Sequence, residues 1–150
     1  MAVINEVIMT MHRWYIENIP AEQLQPTVSP WRTQPRGFGQ LCGCSTHLVS
    51  PGLYEQLVMR HDDELLAQYP GGGMIHLCGN HKHLIPLFAK MPHLRAVQLN
   101  DLAADQLEFY VKGLREDQVI YMSPTANMPL EESLRISEGK RIVYCGEIRL

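Results

Sequence analysis

Apolar residues follow two different spacings along this chain, and the changes between them predict helices and strands in turn. Near-helical spacing over residues 3–19 predicts an amphipathic helix that ends at Pro20. A second helix is predicted to begin at the N-cap residue Ser50, to place Pro51 at its first position and to end before Pro70. Three shorter helical patterns cover residues 84–91, 103–114 and 129–136.

Short apolar runs between these patterns predict strands, within residues 37–49 and at 74–78, 94–99, 119–122 and 141–144. Strands that alternate with helices are typical of parallel βαβ units. We therefore predict an α/β fold with parallel strands over residues 37–150. Residues 1–36 are predicted to form the first helix, followed by a proline-rich irregular loop that leads into the α/β part.

Composition limits the classes of function. The chain has 150 residues and a net charge of −3, so it is long enough for one domain and has no basic excess for nucleic acid or an anionic membrane. No apolar run approaches the length of a membrane span, and residues at the start of the sequence lack the charged start and long apolar centre that a signal peptide would have. Four cysteines are too few for a secreted disulfide framework, which favours reduced thiols or metal ligands in a cytoplasmic protein.

The candidate chemistry centres on residues 71–80, where a glycine-rich segment leads into a predicted strand. His76 and Cys78 are two residues apart, so they project to the same side of that strand. They stand at its carboxyl end, where α/β proteins place their chemistry. Imidazole nitrogen and thiolate sulfur are ligands that zinc prefers. A site needs at least one further ligand.

Other groups near this strand have weaker claims. Cys42 and Cys44, with His47, follow the preceding strand, where they indicate either part of a site or a tight small-residue strand. His81 and His83 come at the start of a helix, where they point along different faces and are more typical of exposed histidines. The acidic run 62–64 is typical of a solvated helix face.

The number of strands raises a difficulty for a parallel sheet. About five are predicted, and the last stops almost at the C-terminus without a helix to cover it. A parallel sheet needs both faces covered and its edges protected. We therefore expect this chain to be part of a larger closed fold whose missing portion precedes Met1.

Several segments resemble the C-terminal half of the uroporphyrinogen decarboxylase superfamily, which includes cobalamin-dependent methyltransferases. They are Ser50-Pro-Gly-Leu-Tyr-Glu-Gln-Leu-Val, Asp62-Asp-Glu-Leu-Leu, Gly72-Gly-Met-Ile-His-Leu-Cys-Gly and Leu94-Arg-Ala-Val-Gln-Leu. The resemblance covers roughly residue 37 to the end. It implies a partial (β/α)8 TIM barrel, made of about the last four to five βα units.

The methyltransferase branch of this superfamily implies a zinc ion bound by His76, Cys78 and Cys145. Zinc would activate a small-molecule thiol, and a methylated corrinoid on a partner protein would donate the methyl group. Asn100 and Asp101 follow the next strand and are placed to contact substrate, or to form a turn and helix N-cap.

Two alternatives remain open at this point. The first is decarboxylation of uroporphyrinogen III in haem synthesis, although Cys145 stands where that branch would be expected to carry a histidine. The second is an inactive half-barrel that needs a partner chain or the missing N-terminal half, or that forms a homodimer through its exposed sheet edge.

Overall fold

The computed structural model describes residues 2–20, 22–23, 27–29 and 32–146. The first predicted helix is present as α1 (Ala2–Asn18). The segment predicted to be an irregular loop contains a short antiparallel pair, β1 (Thr27–Ser29) and β2 (Arg32–Thr33). Sequence periodicity missed this pair because strands of three and two residues are too short to show a period.

The main sheet has five parallel strands in chain order, which confirms the predicted α/β class with parallel strands. The strands are β3 (Gly39–Cys42), β4 (Gly73–Leu77), β5 (Leu94–Leu99), β6 (Val119–Met122) and β7 (Ile142–Tyr144). The remaining helices are α2 (Pro51–Leu57), α3 (Met59–Leu66), α4 (Ile85–Phe88), α5 (Asp101–Ala104), α6 (Leu107–Gly113) and α7 (Leu130–Ser137).

The helix predicted to begin at Ser50 starts as expected but does not run unbroken to Pro70. The Ser50 side chain caps the helix by accepting a hydrogen bond from the Leu53 N–H. The helix is interrupted at Val58, whose φ of −122° separates α2 from α3. The pattern predicted at 103–114 is likewise divided between α5 and α6. Such short interruptions leave the helical spacing of apolar residues almost unchanged, so the spacing does not reveal where one helix ends and the next begins.

The two faces of the sheet are packed differently. Alternate residues of the central strands join the helices in the main core, as Ile75, Val97 and Ile120 do. The intervening residues form a second, smaller buried cluster on the opposite face, with Met74, Ala96 and Tyr121 at its centre. Side chains of this second face continue toward the carboxyl ends of the strands, where the candidate site lies.

Two glycines fix the start of β4 between its neighbours. Gly72 has a φ of +69°, and a Cβ there would lie 2.4 Å from the carbonyl oxygen of His93. A Cβ on Gly73 would lie 2.4 Å from the carbonyl oxygen of Gly39. Only glycine fits at such a close approach. These positions set the register that pairs His76 with Gln98 on β5.

The N-terminal helix contacts the α/β part through polar side chains. Asn5 donates a hydrogen bond to Glu64 on α3, and the Tyr69 hydroxyl lies 2.9 Å from Nδ1 of His12. Several apolar side chains of α1 remain exposed: Val3, Ile4, Val7, Met11, Trp14, Tyr15 and Ile16. Within the described residues, no helix has the length and apolar character to cross a bilayer.

Candidate metal centre

Three soft-metal side chains meet at the carboxyl edge of the sheet. The ligand atoms of Cys44, His76 and Cys78 all lie within 4.8 Å of one another, and all three residues are partly buried. Within the described part of the chain, no other set of at least three His, Cys, Asp or Glu side chains comes this close together. The sequence predicted His76 and Cys78 as a pair, and the structure adds Cys44 to them.

Parallel pairing of β3 with β4 brings these groups together. The register sets Cys42 beside His76, and Cys44 and Cys78 follow two residues later, just beyond the ends of β3 and β4. Gly43 makes the close fit possible, because a Cβ there would lie 2.6 Å from Cγ2 of Ile75. Its N–H donates a hydrogen bond of 2.8 Å to the carbonyl oxygen of His76. The residue between Cys42, at the end of β3, and Cys44 is thereby held against β4.

The surroundings of the Cys44 thiol disfavour its ionisation. Burial raises the pKa of the Cys44 thiol most, and the neighbouring thiols of Cys78 and Cys42 raise it further. The Cys44 sulfur is therefore protonated near neutral pH when no cation is nearby. Because a metal binds the thiolate, binding must release this proton, and the affinity must rise with pH.

A polar network behind His76 fixes the orientation of its ring. Nδ1 of His76 is hydrogen-bonded to Oε1 of the buried Gln98. An amide oxygen only accepts, so Nδ1 carries the proton and Nε2 keeps the lone pair that a metal would use. The Gln98 amide in turn donates to Asn100 Oδ1 and, at 3.2 Å, to Ser123 Oγ. Ser123 also donates to Asn100, at 2.7 Å, which closes the network.

The structure separates the two predicted substrate-binding residues. Asn100 uses its side chain oxygen within the network behind His76, although it stands at the N-cap position of α5. Asp101 is exposed and opens α5 with a φ of +47°. Substrate contact by either residue remains a prediction.

Cys145, predicted as the third zinc ligand, is not part of the group. It follows β7, and two strands stand between β7 and β4 in the sheet. Its side chain packs against the second buried cluster, with its sulfur 3.6 Å from the carbonyl oxygen of Val143. Cys44 holds the position beside His76 and Cys78 that the family resemblance assigned to Cys145.

The neighbouring histidines His47, His81 and His83 contact backbone carbonyl oxygens of the loops and are not part of the ligand group. His81 is fully buried, with its ring nitrogens 2.9 Å from the carbonyl oxygen of Gly79 and 3.0 Å from that of Gly43. Burial lowers the pKa of His81, so the ring is neutral at pH 7 and donates to one of these oxygens. The rings of His47 and His83 also contact backbone carbonyls. His81 thus connects the two loops that carry the thiols.

The donor set selects the class of metal. Two sulfurs and one imidazole nitrogen are soft or borderline ligands, and no carboxylate belongs to the group. Such a set suits zinc rather than magnesium or calcium, which prefer oxygen. None of the four cysteines forms a disulfide, so all are in the state that metal binding requires.

Comparison of the chain with protein-family models, curated proteins and solved structures finds no significant match. The assignment of the site therefore depends on its geometry.

Two of the groups at this site were missed or undervalued by the sequence prediction. Cys44 was recognised only as a group near the neighbouring strand end. The signal that could have selected it is the repeated two-residue spacing, Cys42 with Cys44 and His76 with Cys78, at the ends of consecutive strands. Gln98 was missed, although a polar residue between Val97 and Leu99 interrupts an otherwise apolar strand.

Proposed function

We propose that this chain binds zinc through Cys44, His76 and Cys78 and activates a small-molecule thiol for methyl transfer. The observation that carries the proposal is the group of three donors within 4.8 Å. Three protein ligands are typical of catalytic zinc sites, which keep a fourth position for substrate. When bound, zinc supplies acidity: it removes the proton of a coordinated thiol while the sulfur stays nucleophilic.

The residues of the chain prepare this site in three ways. The amide of Gln98 fixes the tautomer of His76 and aims its Nε2. Gly43 admits the Cys44 loop against β4. Two protein thiolates neutralise a divalent cation, so an incoming thiolate would leave a net negative charge that favours attack on a methyl group. The site also lies at the carboxyl edge of parallel strands, the usual location of chemistry in barrels.

The fold is compatible with the family that the sequence resembles. Five parallel strands in chain order are the arrangement expected of consecutive units in a (β/α)8 barrel. We accordingly propose a partial barrel of the uroporphyrinogen decarboxylase superfamily, with a methylated corrinoid on a partner protein as donor. Reduced thiols would fit a cytoplasmic location.

Metal analysis of the purified chain tests the ligand set directly. We expect about one zinc per chain, lost in Cys44→Ser and Cys78→Ser and retained in Cys145→Ser. Retention in Cys44→Ser together with loss in Cys145→Ser would favour the ligand set of the resemblance. A chain that takes up no zinc under reducing conditions would refute the proposal.

The reaction needs a separate assay. The zinc-loaded chain should accelerate methyl transfer from methylcobalamin to 2-mercaptoethanol. The rate is measured as the loss of free thiol over time. Cys44→Ser should abolish this acceleration. A zinc-loaded chain without effect on the rate would refute the methyl-transfer part while leaving the metal site intact.

A further inference from the structure

Cys42 is an exposed cysteine near the three donors, and the proposed function does not use it. Its partner in the parallel register is His76. Residues paired in this way project to the same face of a sheet. Cys42, the last residue of β3, therefore lies on the same face as His76, and Cys44 and Cys78 follow two residues later, just beyond the ends of their strands.

The electrostatics of the group agrees with this placement. The thiols of Cys78 and Cys42 both raise the pKa of Cys44, after burial, which has the largest effect. Cys42 nevertheless lies outside the group whose ligand atoms are all within 4.8 Å of one another. Because its side chain is exposed, rotation about its Cα–Cβ bond is unhindered by a packed interior. The fourth-ligand position requires this side chain to turn toward His76, its register partner.

We propose that Cys42 is the fourth ligand of the bound metal at rest, and that an incoming thiol replaces it. The inference rests on the proposed metal site and deepens it: the fourth position is filled by the protein until a thiol arrives. Replacement is an exchange in which the incoming thiol gives up its proton and the released Cys42 thiolate takes one.

Exposure explains why Cys42, rather than another cysteine, is the ligand that leaves. Cys44 and Cys78 are partly buried, whereas Cys42 is exposed. His76 is fixed from behind by Gln98. The ligand that solvent reaches is the one that a dissolved thiol can displace. Being part of the same chain, Cys42 competes at an effective concentration in the millimolar range.

The test uses the full chain and cobalt(II), whose absorption reports the number of bound thiolates. The wild type should show the charge-transfer intensity of three thiolates, and Cys42→Ser that of two. Zinc affinity, measured by competition with a chromophoric chelator, should fall by at least the roughly 10- to 100-fold that loss of a supporting hydrogen bond costs a metal site. Cys145→Ser is the matched control and should behave as the wild type. A phosphine reductant keeps all thiols reduced without binding the metal.

A gain of function separates this inference from simple misfolding. In Cys42→Ser, 2-mercaptoethanol should restore the third-thiolate intensity, at concentrations at least tenfold lower than those that change the wild-type spectrum. An unfolded variant would not show this gain. Identical spectra and zinc affinities for the wild type and Cys42→Ser would overturn the inference while leaving the three-ligand site standing. Failure of the wild type to bind either metal would overturn both.

Discussion

Asp62 is the group for which the structure gives the most quantitative prediction. It belongs to the acidic run that the sequence indicated as a solvated helix face, yet its carboxylate accepts a hydrogen bond of 2.7 Å from the buried Tyr54 hydroxyl. Burial raises the pKa of Asp62 from 3.8 to about 6, although the hydrogen bond from Tyr54 and the nearby His61 act in the opposite direction. The perturbation is Asp62→Asn, which cannot ionise and keeps an oxygen that can accept the same hydrogen bond.

The sign and size of the effect follow from proton linkage. Below pH 3.8 the carboxyl is neutral in both the folded and the unfolded chain, so its ionisation costs nothing. As the pH rises toward 6 the unfolded chain ionises first, and the folded state loses stability relative to it. A pKa difference of about two units corresponds to about 3 kcal/mol. Above pH 6, Asp62→Asn should therefore be more stable than the wild type by up to about 3 kcal/mol.

Urea unfolding of both proteins at several pH values between 4 and 8 measures this difference. Comparing the two proteins at each pH cancels the contributions of all other titrating groups. Asp117→Asn is an opposite-sign control, because a hydrogen bond from Arg115 lowers the pKa of Asp117 and its loss should destabilise the chain at high pH. A stability difference for Asp62→Asn that is independent of pH, or a wild type more stable at pH 7.5, would refute the reasoning.

Three further predictions concern the site and the fold. Gln98→Leu removes the acceptor of the His76 ring N–H and should weaken zinc binding about 10- to 100-fold in a chelator competition, whereas unchanged affinity would mean that this contact does not orient the ring. Arg115→Met removes three hydrogen bonds to backbone carbonyls and should lower the free energy of unfolding in urea by about 2–4 kcal/mol, while Arg135→Met, at the surface, should leave it unchanged. Gly72→Ala forces a Cβ to within 2.4 Å of a carbonyl oxygen and should lower the melting temperature, so an unchanged value would contradict this packing.

The sequence was sufficient for the strands of the main sheet because apolar runs and the turn residues that bound them are local signals. The run at 94–99 and the strand β5 coincide, and the run at 119–122 coincides with β6. Helix interruptions were not predicted, since the break at Val58 leaves the apolar spacing almost unchanged. The burial of Asp62 was also missed, because an acidic run gives no sign of which member faces the core.

Only the part of the site that lies on one strand segment could be predicted from the sequence. The spacing of His76 and Cys78 placed them on one face without any knowledge of the sheet. The third member of the group depends on which strand lies beside β4 and in which register. The repeated two-residue spacing at 42–44 and 76–78 marks Cys44 as a candidate, but it gives neither the neighbouring strand nor the register. Pairing with β3 selects Cys44, whereas the family resemblance pointed to Cys145, which follows the far strand of the sheet.

The strand order has a consequence for the way the protein would come apart. β3 is one of the two outer strands of the sheet and pairs with β4 alone among the described strands. An ion shared by Cys44 and Cys78 would therefore be a cross-link that ties this edge to the interior. Removal of the metal by a chelator would destabilise β3 before the interior strands, and amide hydrogens in β3 would then exchange faster than those in β5. The order in which the strands unfold would therefore depend on whether metal is bound.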